Sequence, residues 1–191
     1  MATRESLLDV TARLYAELGW RGTTTRRIAD AAGVNEVTLF RQFGSKESLL
    51  NAAIEAAVSD PGDPLPVTPV HLQSELVEWS LGRHARIQSK SGIIRASLAE
   101  WGERPALAPQ ACSGGAIAFR AVEAYLMAAR ELKLIGPAGS IEAAALMLTN
   151  VVFMDAMTRD ALPAAHVRSV DEVITLSVDL VLRGLAAKEL E

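Results

Sequence analysis

The sequence predicts an all-α fold of about nine helices. Apolar residues recur at helical spacing in segment after segment, glycine and proline punctuate the chain between those segments, and no run alternates apolar and polar residues as a strand does. The chain has 191 residues, half of them apolar and 22% charged. That is enough to bury a substantial core and excludes disorder as the main state.

In the first segment Leu7, Val10, Thr11, Leu14, Tyr15 and Leu18 form one stripe of an amphipathic helix, stopped by Gly19. Thr24 is placed to cap a second helix, Thr25 to Ala32, with Ile28, Ala29 and Ala32 facing inward and Gly33 ending it. Asn35 caps a short third helix that runs to Phe43. Ser45 caps a fourth through about Ser59, its apolar side formed by Leu49, Leu50, Ala53, Ile54 and Ala57. Four of the eight prolines then fall between Asp60 and Pro69, a density that no helix accommodates. This predicts a linker at 60–69 between domains at 1–59 and 70–191. Further helices are expected at roughly 70–89, 92–103, 115–134, 140–158 and 169–187. Pro105, Pro109 and Gly114-Gly115 interrupt the middle, and Gly136-Pro137 and Pro163 separate the last three.

The formal net charge of −4 argues against a general nucleic-acid coat. Charge is unevenly spread, however: positions 21–46 hold Arg21, Arg26, Arg27, Arg41 and Lys46 against only Asp30 and Glu36. The single cysteine, Cys112, excludes an internal disulfide and suits a reducing cytoplasm. The charged start, Met1 to Asp9, lacks the apolar core of a secretory signal, and the apolar stretch Ala143 to Met154 reads as too short to span a bilayer. A cytoplasmic protein without a membrane partner is expected. Enzyme signatures are missing: His71, His84 and His166 are scattered, and no nucleophile elbow, phosphate loop or dinucleotide fingerprint occurs. Neither a metal nor a cofactor is expected. Cys112 has no adjacent histidine to activate it, and reads as a small loop or core residue, with redox sensing as a minor alternative.

Residues 23–43 read as helix, glycine turn, helix, the arrangement that lets a second helix project into a DNA major groove. Val34, Leu39 and Phe43 can point to a three-helix core, leaving Glu36, Val37, Thr38, Phe40, Arg41 and Gln42 outward. The first helix ending in Gly19-Trp20, the threonine-started second helix, Gly33-Val34-Asn35, Thr38-Leu39-Phe40 and Phe43-Gly44-Ser45-Lys46-Glu47-Ser48-Leu49-Leu50 together closely resemble the DNA-binding domain of the tetracycline-repressor (TetR) family, over about residues 4–56. The resemblance implies a homodimer that binds a near-palindromic double-stranded operator, most readily as a ligand-responsive repressor. It implies that Thr24 and Thr25 hold a phosphate at a helix N-terminus, that Arg26 reaches a base or phosphate, and that Thr38 and Lys46 contact phosphates. Glu36, Val37, Arg41 and Gln42 are the implied sequence readers. Phe40 stands where the family commonly has tyrosine, so ring packing replaces a hydroxyl-to-phosphate bond. Glu36 either reads a cytosine amino group or, as favoured here, pairs with a neighbouring cation.

For residues 70–191 the resemblance is architectural and implies a helical bundle for ligand binding and dimerisation. The last two helices, bearing Ala144, Leu148, Val151 and Val152 and Val173, Leu176, Leu180 and Leu185, would form the dimer interface. An unidentified small-molecule effector is expected in an apolar pocket lined by Trp79, Arg83, Trp101, Phe119, Glu123 and Asn150, with Tyr125, Met127, Phe153, Met154 and His84 nearby. The competing reading is a helical interaction module that does not bind DNA.

Overall fold

The computed structural model describes residues 3–59, 64–105, 108–163 and 168–186, without the side chains of 108–112 and 186. Among these residues are nine α-helices and no strand: α1 (Arg4–Gly22), α2 (Thr25–Ala32), α3 (Glu36–Phe43), α4 (Lys46–Val58), α5 (Leu72–Ser89), α6 (Ser91–Ala99), α7 (Ala108–Glu131), α8 (Ile141–Thr158) and α9 (Val170–Ala186). A 3-10 turn, Arg159–Ala161, follows α8. Expectations for residues 60–63 of the linker, for His166 and for the Cys112 side chain lie outside the described residues.

The chain forms two compact units: Met1–Asp60 with Lys90–Gly114, and Pro61–Ser89 with Gly115–Glu191. Residues 90–114, expected in the C-terminal domain, belong instead with the N-terminal helices. The physical reason is α6, which packs along α1, where the Tyr15 hydroxyl donates to the Ala96 carbonyl at 3.2 Å.

In the first unit α1 packs against α2, α4 and α6, and α3 against α2 and α4. Leu7, Leu8, Ile28, Ala29, Leu39, Leu49 and Ala53 make one buried cluster, with Leu14, Val34 and Phe43 partly buried against it. Gly19 leaves helical geometry at φ 63 and ψ −170, which is where the stripe of α1 ends. Local side chains start the next helices. Thr24 accepts from the Arg27 N–H at 3.2 Å, Asn35 from Val37 at 2.9 Å and Ser45 from Ser48 at 3.0 Å.

In the second unit α5, α8 and α9 pack on one another. Leu76 and Trp79 of α5, Leu148 and Val152 of α8, and Ile174 and Val178 of α9 are buried, as are Val122, Tyr125 and Leu126 of α7. Two expectations are corrected here. Gly114-Gly115 does not interrupt the chain: α7 runs through it, with Pro109 in the first turn, where no helical N–H is lost. The stretch 143–154 is part of a longer helical run, Ile141–Ala161, of 21 residues and mean hydropathy 1.4, which has the length and composition of a membrane span. Here that helix buries one face, Ala144, Ala145, Leu148, Val152 and Ala156, in its bundle.

A polar cluster ties α5 to the end of α8. His84, 2% exposed, meets Asp155 through Nε2 at 2.8 Å, and Arg159 grips both Asp155 oxygens at 2.8 Å each. Removing the carboxylate strands a mostly buried guanidinium and leaves His84 without its partner. Asp155→Ala is therefore expected to lower the unfolding free energy by about 3 kcal/mol, read by denaturant titration; a change below about 1 kcal/mol would contradict this role.

Candidate nucleic-acid interface

Two turns of helix cannot persist alone in water, so α3 exists only as packed. Leu39, 2% exposed, anchors it in the core, with Val34 and Phe43 half-buried on the same side. Gly33 sets the approach: its φ of 66 puts it in the left-handed region, and its N–H returns to the α2 carbonyls of Ala29 and Asp30. A side chain there would strain the turn that crosses α2 and α3.

The opposite face of α3 lies in solvent. Val37 is 71% exposed, Phe40 48%, and Arg41 and Gln42 are exposed beside them. Thr24, Arg26 and Arg27 are exposed at the start of α2, where the orphan N–H groups and the positive helix end favour an anion. Thr38 is half-buried, its N–H donating to the Asn35 carbonyl at 2.9 Å. The arrangement is a protruding rod with one arginine, one amide and two apolar side chains, flanked by cations and a helix N-terminus.

Three predicted contact residues are engaged inside the unit. Among the described residues Glu36 pairs with no cation. Its Oε1 accepts a short hydrogen bond from the Thr25 hydroxyl, which joins the first turns of α2 and α3. The Thr25 proton is thereby committed, and a phosphate needs a donor there. The backbone N–H groups, Thr24 and the exposed Arg26 remain suited to that task. Lys46 donates to the Trp20 carbonyl at 2.6 Å and lies 4.2 Å from the Trp20 ring centroid. Arg104 shares that ring at 4.4 Å and is bonded to Glu100 and Glu103. Burial, then the adjacent Arg104, holds the Lys46 ammonium below the usual lysine range. The participation of Arg104 and Trp20 was missed by sequence reasoning. Trp20 carried a weak signal as an aromatic just after a helix stop, and Arg104 carried none.

The six residues expected to line an effector pocket are divided between the two units. Trp101, 59% exposed, belongs to the first unit, because the 90–114 segment packs with the N-terminal helices. Trp79 is buried, Arg83, Phe119 and Glu123 are half-buried and Asn150 is exposed. Tyr125 is buried with its hydroxyl donating to Glu75, a bond that holds the Glu75 carboxyl below the usual range. An open groove of about 570 Å³ in the second unit is lined by His71, Leu72, Gln73, Ser74, Val77 and Thr175, and includes none of the six.

These elements define a helix-turn-helix domain, α2 and α3 across the Gly33 turn, braced by α1 and α4. Residues 7–53 match the family described as "Bacterial regulatory proteins, tetR family". The chain is 32% identical over 98 residues to the HTH-type transcriptional regulator YvkB of Bacillus subtilis (strain 168), covering 51% of this chain and 52% of that protein. It is 46% identical over 57 residues to the HTH-type transcriptional repressor KstR2 of Rhodococcus jostii (strain RHA1), covering 30% of this chain and 28% of the relative. The match thus spans about half of the first relative's length and less of the second's. A TetR transcriptional regulator from Agrobacterium tumefaciens has the same fold, with a TM-score of 0.76 at 19% identity over 94% of this chain and 92% of that one. Over residues 7–53 the chain is thus similar to the tetR family of bacterial regulatory proteins.

If the Thr25 hydroxyl serves Glu36 and not a phosphate, Thr25→Val is expected to destabilise the first unit by about 1–2 kcal/mol in denaturant titration. The same variant is expected to leave the salt dependence of DNA binding unchanged; a shallower slope would return Thr25 to the phosphate contacts.

Proposed function

We propose that this chain is a sequence-specific DNA-binding transcriptional regulator, acting in the cytoplasm as a homodimer on a near-palindromic operator. The observation that carries the reading is the free face of α3: Val37, Phe40, Arg41 and Gln42 stand exposed on a helix whose other side is locked by Leu39. Such a rod fits the major groove, where Gln42 can bond adenine, Arg41 guanine, and the Val37 methyls can meet a thymine methyl. Phosphates are held by the start of α2, by Thr24 and Arg26, and by Thr38 and Lys46. Repression is the mode that the named KstR2 relative supports.

Dimerisation is supported by a second exposed surface. On α8, Leu146, Met147 and Met154 are each about half exposed, as is Leu176 on α9, while Leu180 reaches 63%. Residues of the same two helices, Ala144, Leu148, Val152 and Leu185, are buried within the unit. Side chains this apolar on one face call for a partner, and a second copy supplies a self-complementary one. A two-fold pair would place its reading helices about 34–36 Å apart, one turn of DNA, or a multiple of it. Control by a small-molecule effector completes the proposal; an effector acts only through unequal affinity for DNA-competent and incompetent forms.

Selection from random duplex DNA is expected to return a near-palindrome, and failure to enrich any sequence at moderate salt would overturn the regulator reading. Gln42→Ala is expected to relax preference at one base position at a cost of about 1–3 kcal/mol, while Lys46→Ala weakens binding to all sequences and reduces the salt slope by about one. Separately, Leu180→Asp is expected to shift the protein from dimer to monomer in analytical ultracentrifugation; a dimer of undiminished stability would remove α9 from the interface.

A further inference from the structure

Lys46 occupies a place that is unfavourable to a cation in three respects. It sits in the first turn of α4, at the positive end of the helix dipole. It is half-buried, and Arg104 lies close by. Trp20 offsets these costs through its carbonyl at 2.6 Å and its ring at 4.2 Å. That ring is shared, since the Arg104 guanidinium lies 4.4 Å from the same centroid. Arg104 is fixed in turn by Glu100 and Glu103, in the turns that follow α6, far along the chain from the helix-turn-helix.

We propose that Arg104 is a positioning residue for DNA binding: by occupying the Trp20 ring and neutralising Glu100, it keeps Lys46 weakly held and available to a phosphate. The proposal rests on the reading of α2 to α4 as a DNA interface. Glu100 already attracts the Lys46 ammonium, and Arg104 repels it. Without Arg104, the Glu100 carboxylate loses its ion pair in a position where its side chain is only 19% exposed. Lys46, on the same ring as Arg104, is a cation placed to satisfy it, and the vacated ring face removes the competitor. Lys46 is then drawn inward and its phosphate contact weakens. Loss of Arg104 thus mimics loss of Lys46, although Arg104 itself need touch no DNA.

The test measures affinity across a salt series for the duplex selected by the unmodified chain. Lys46→Ala is expected to lower affinity roughly threefold at physiological salt and the slope by about one, the share of a single phosphate contact. Arg104→Ala is expected to do the same, to add nothing in the Lys46→Ala background, and to be restored to the unmodified affinity by Glu100→Gln. A merely structural role would not be rescued by removing a charge. Should Arg104→Ala leave affinity and slope unchanged, or add its full loss to that of Lys46→Ala, the proposal fails while the DNA-binding reading stands. Should Lys46→Ala leave the slope unchanged while selective binding persists, it also fails. If Arg104→Ala does not fold by thermal melting, Glu100→Gln alone decides: tighter binding is expected, and equal or weaker binding overturns the proposal. If the unmodified chain selects no duplex at all, the functional reading itself falls and the proposal with it.

Discussion

Burial of Leu39 governs what α3 can present. A helix turns about 100° per residue, so one fixed anchor in an eight-residue helix determines the direction of every other side chain. With Leu39 at 2% exposure among Leu7, Leu8, Ile28 and Leu49, residues 37, 40, 41 and 42 have no direction left but outward. The Gly33 turn fixes the remaining degree of freedom, the angle at which α3 leaves α2. The interface is therefore a by-product of core packing, and a void beneath Leu39 would blur it without touching a single exposed residue.

Several polar groups at this face are satisfied by one another before any nucleic acid arrives. The Thr25 hydroxyl serves Glu36, the Lys46 ammonium serves the Trp20 carbonyl, and one Arg27 nitrogen donates to the Gly22 carbonyl at 2.9 Å. Binding at these positions would be an exchange of partners, so each would contribute less than a fully hydrated group would suggest. Arg41 and Gln42 lie exposed, and among the described residues no bond of this kind holds them back. The division separates groups bonded within the domain from groups left exposed on α3.

Features encoded within a few residues were legible in the sequence. Thr24, Asn35 and Ser45 cap their helices as their placement predicts, Gly33 turns left-handed, and the inward residues of α3 are those its periodicity selects. What escaped was set by residues distant along the chain. Nothing near Glu36 indicates that Thr25 is its partner, and nothing near Lys46 points to Trp20 or Arg104. The proline run at 61–69 suggested a single boundary, whereas the packing of α6 on α1 returns residues 90–114 to the N-terminal unit and takes Trp101 with them. Gly114-Gly115 was overread as a break because helix propensity is a weak local preference that tertiary packing overrides. Aromatic residues at helical spacing serve a core as well as a pocket, and Trp79 and Tyr125 are buried.

The two apolar side chains on the exposed face of α3 have a thermodynamic consequence of their own. Val37 and Phe40 stand in water in the unbound protein and would lose that hydration against thymine methyls and sugar edges. Counterion release from phosphates depends steeply on ionic strength, but dehydration of methyl and ring surface does not, and it carries a negative heat-capacity change. Recognition by this helix would then become more enthalpic on warming, with a component that persists when salt has stripped away the charge contribution.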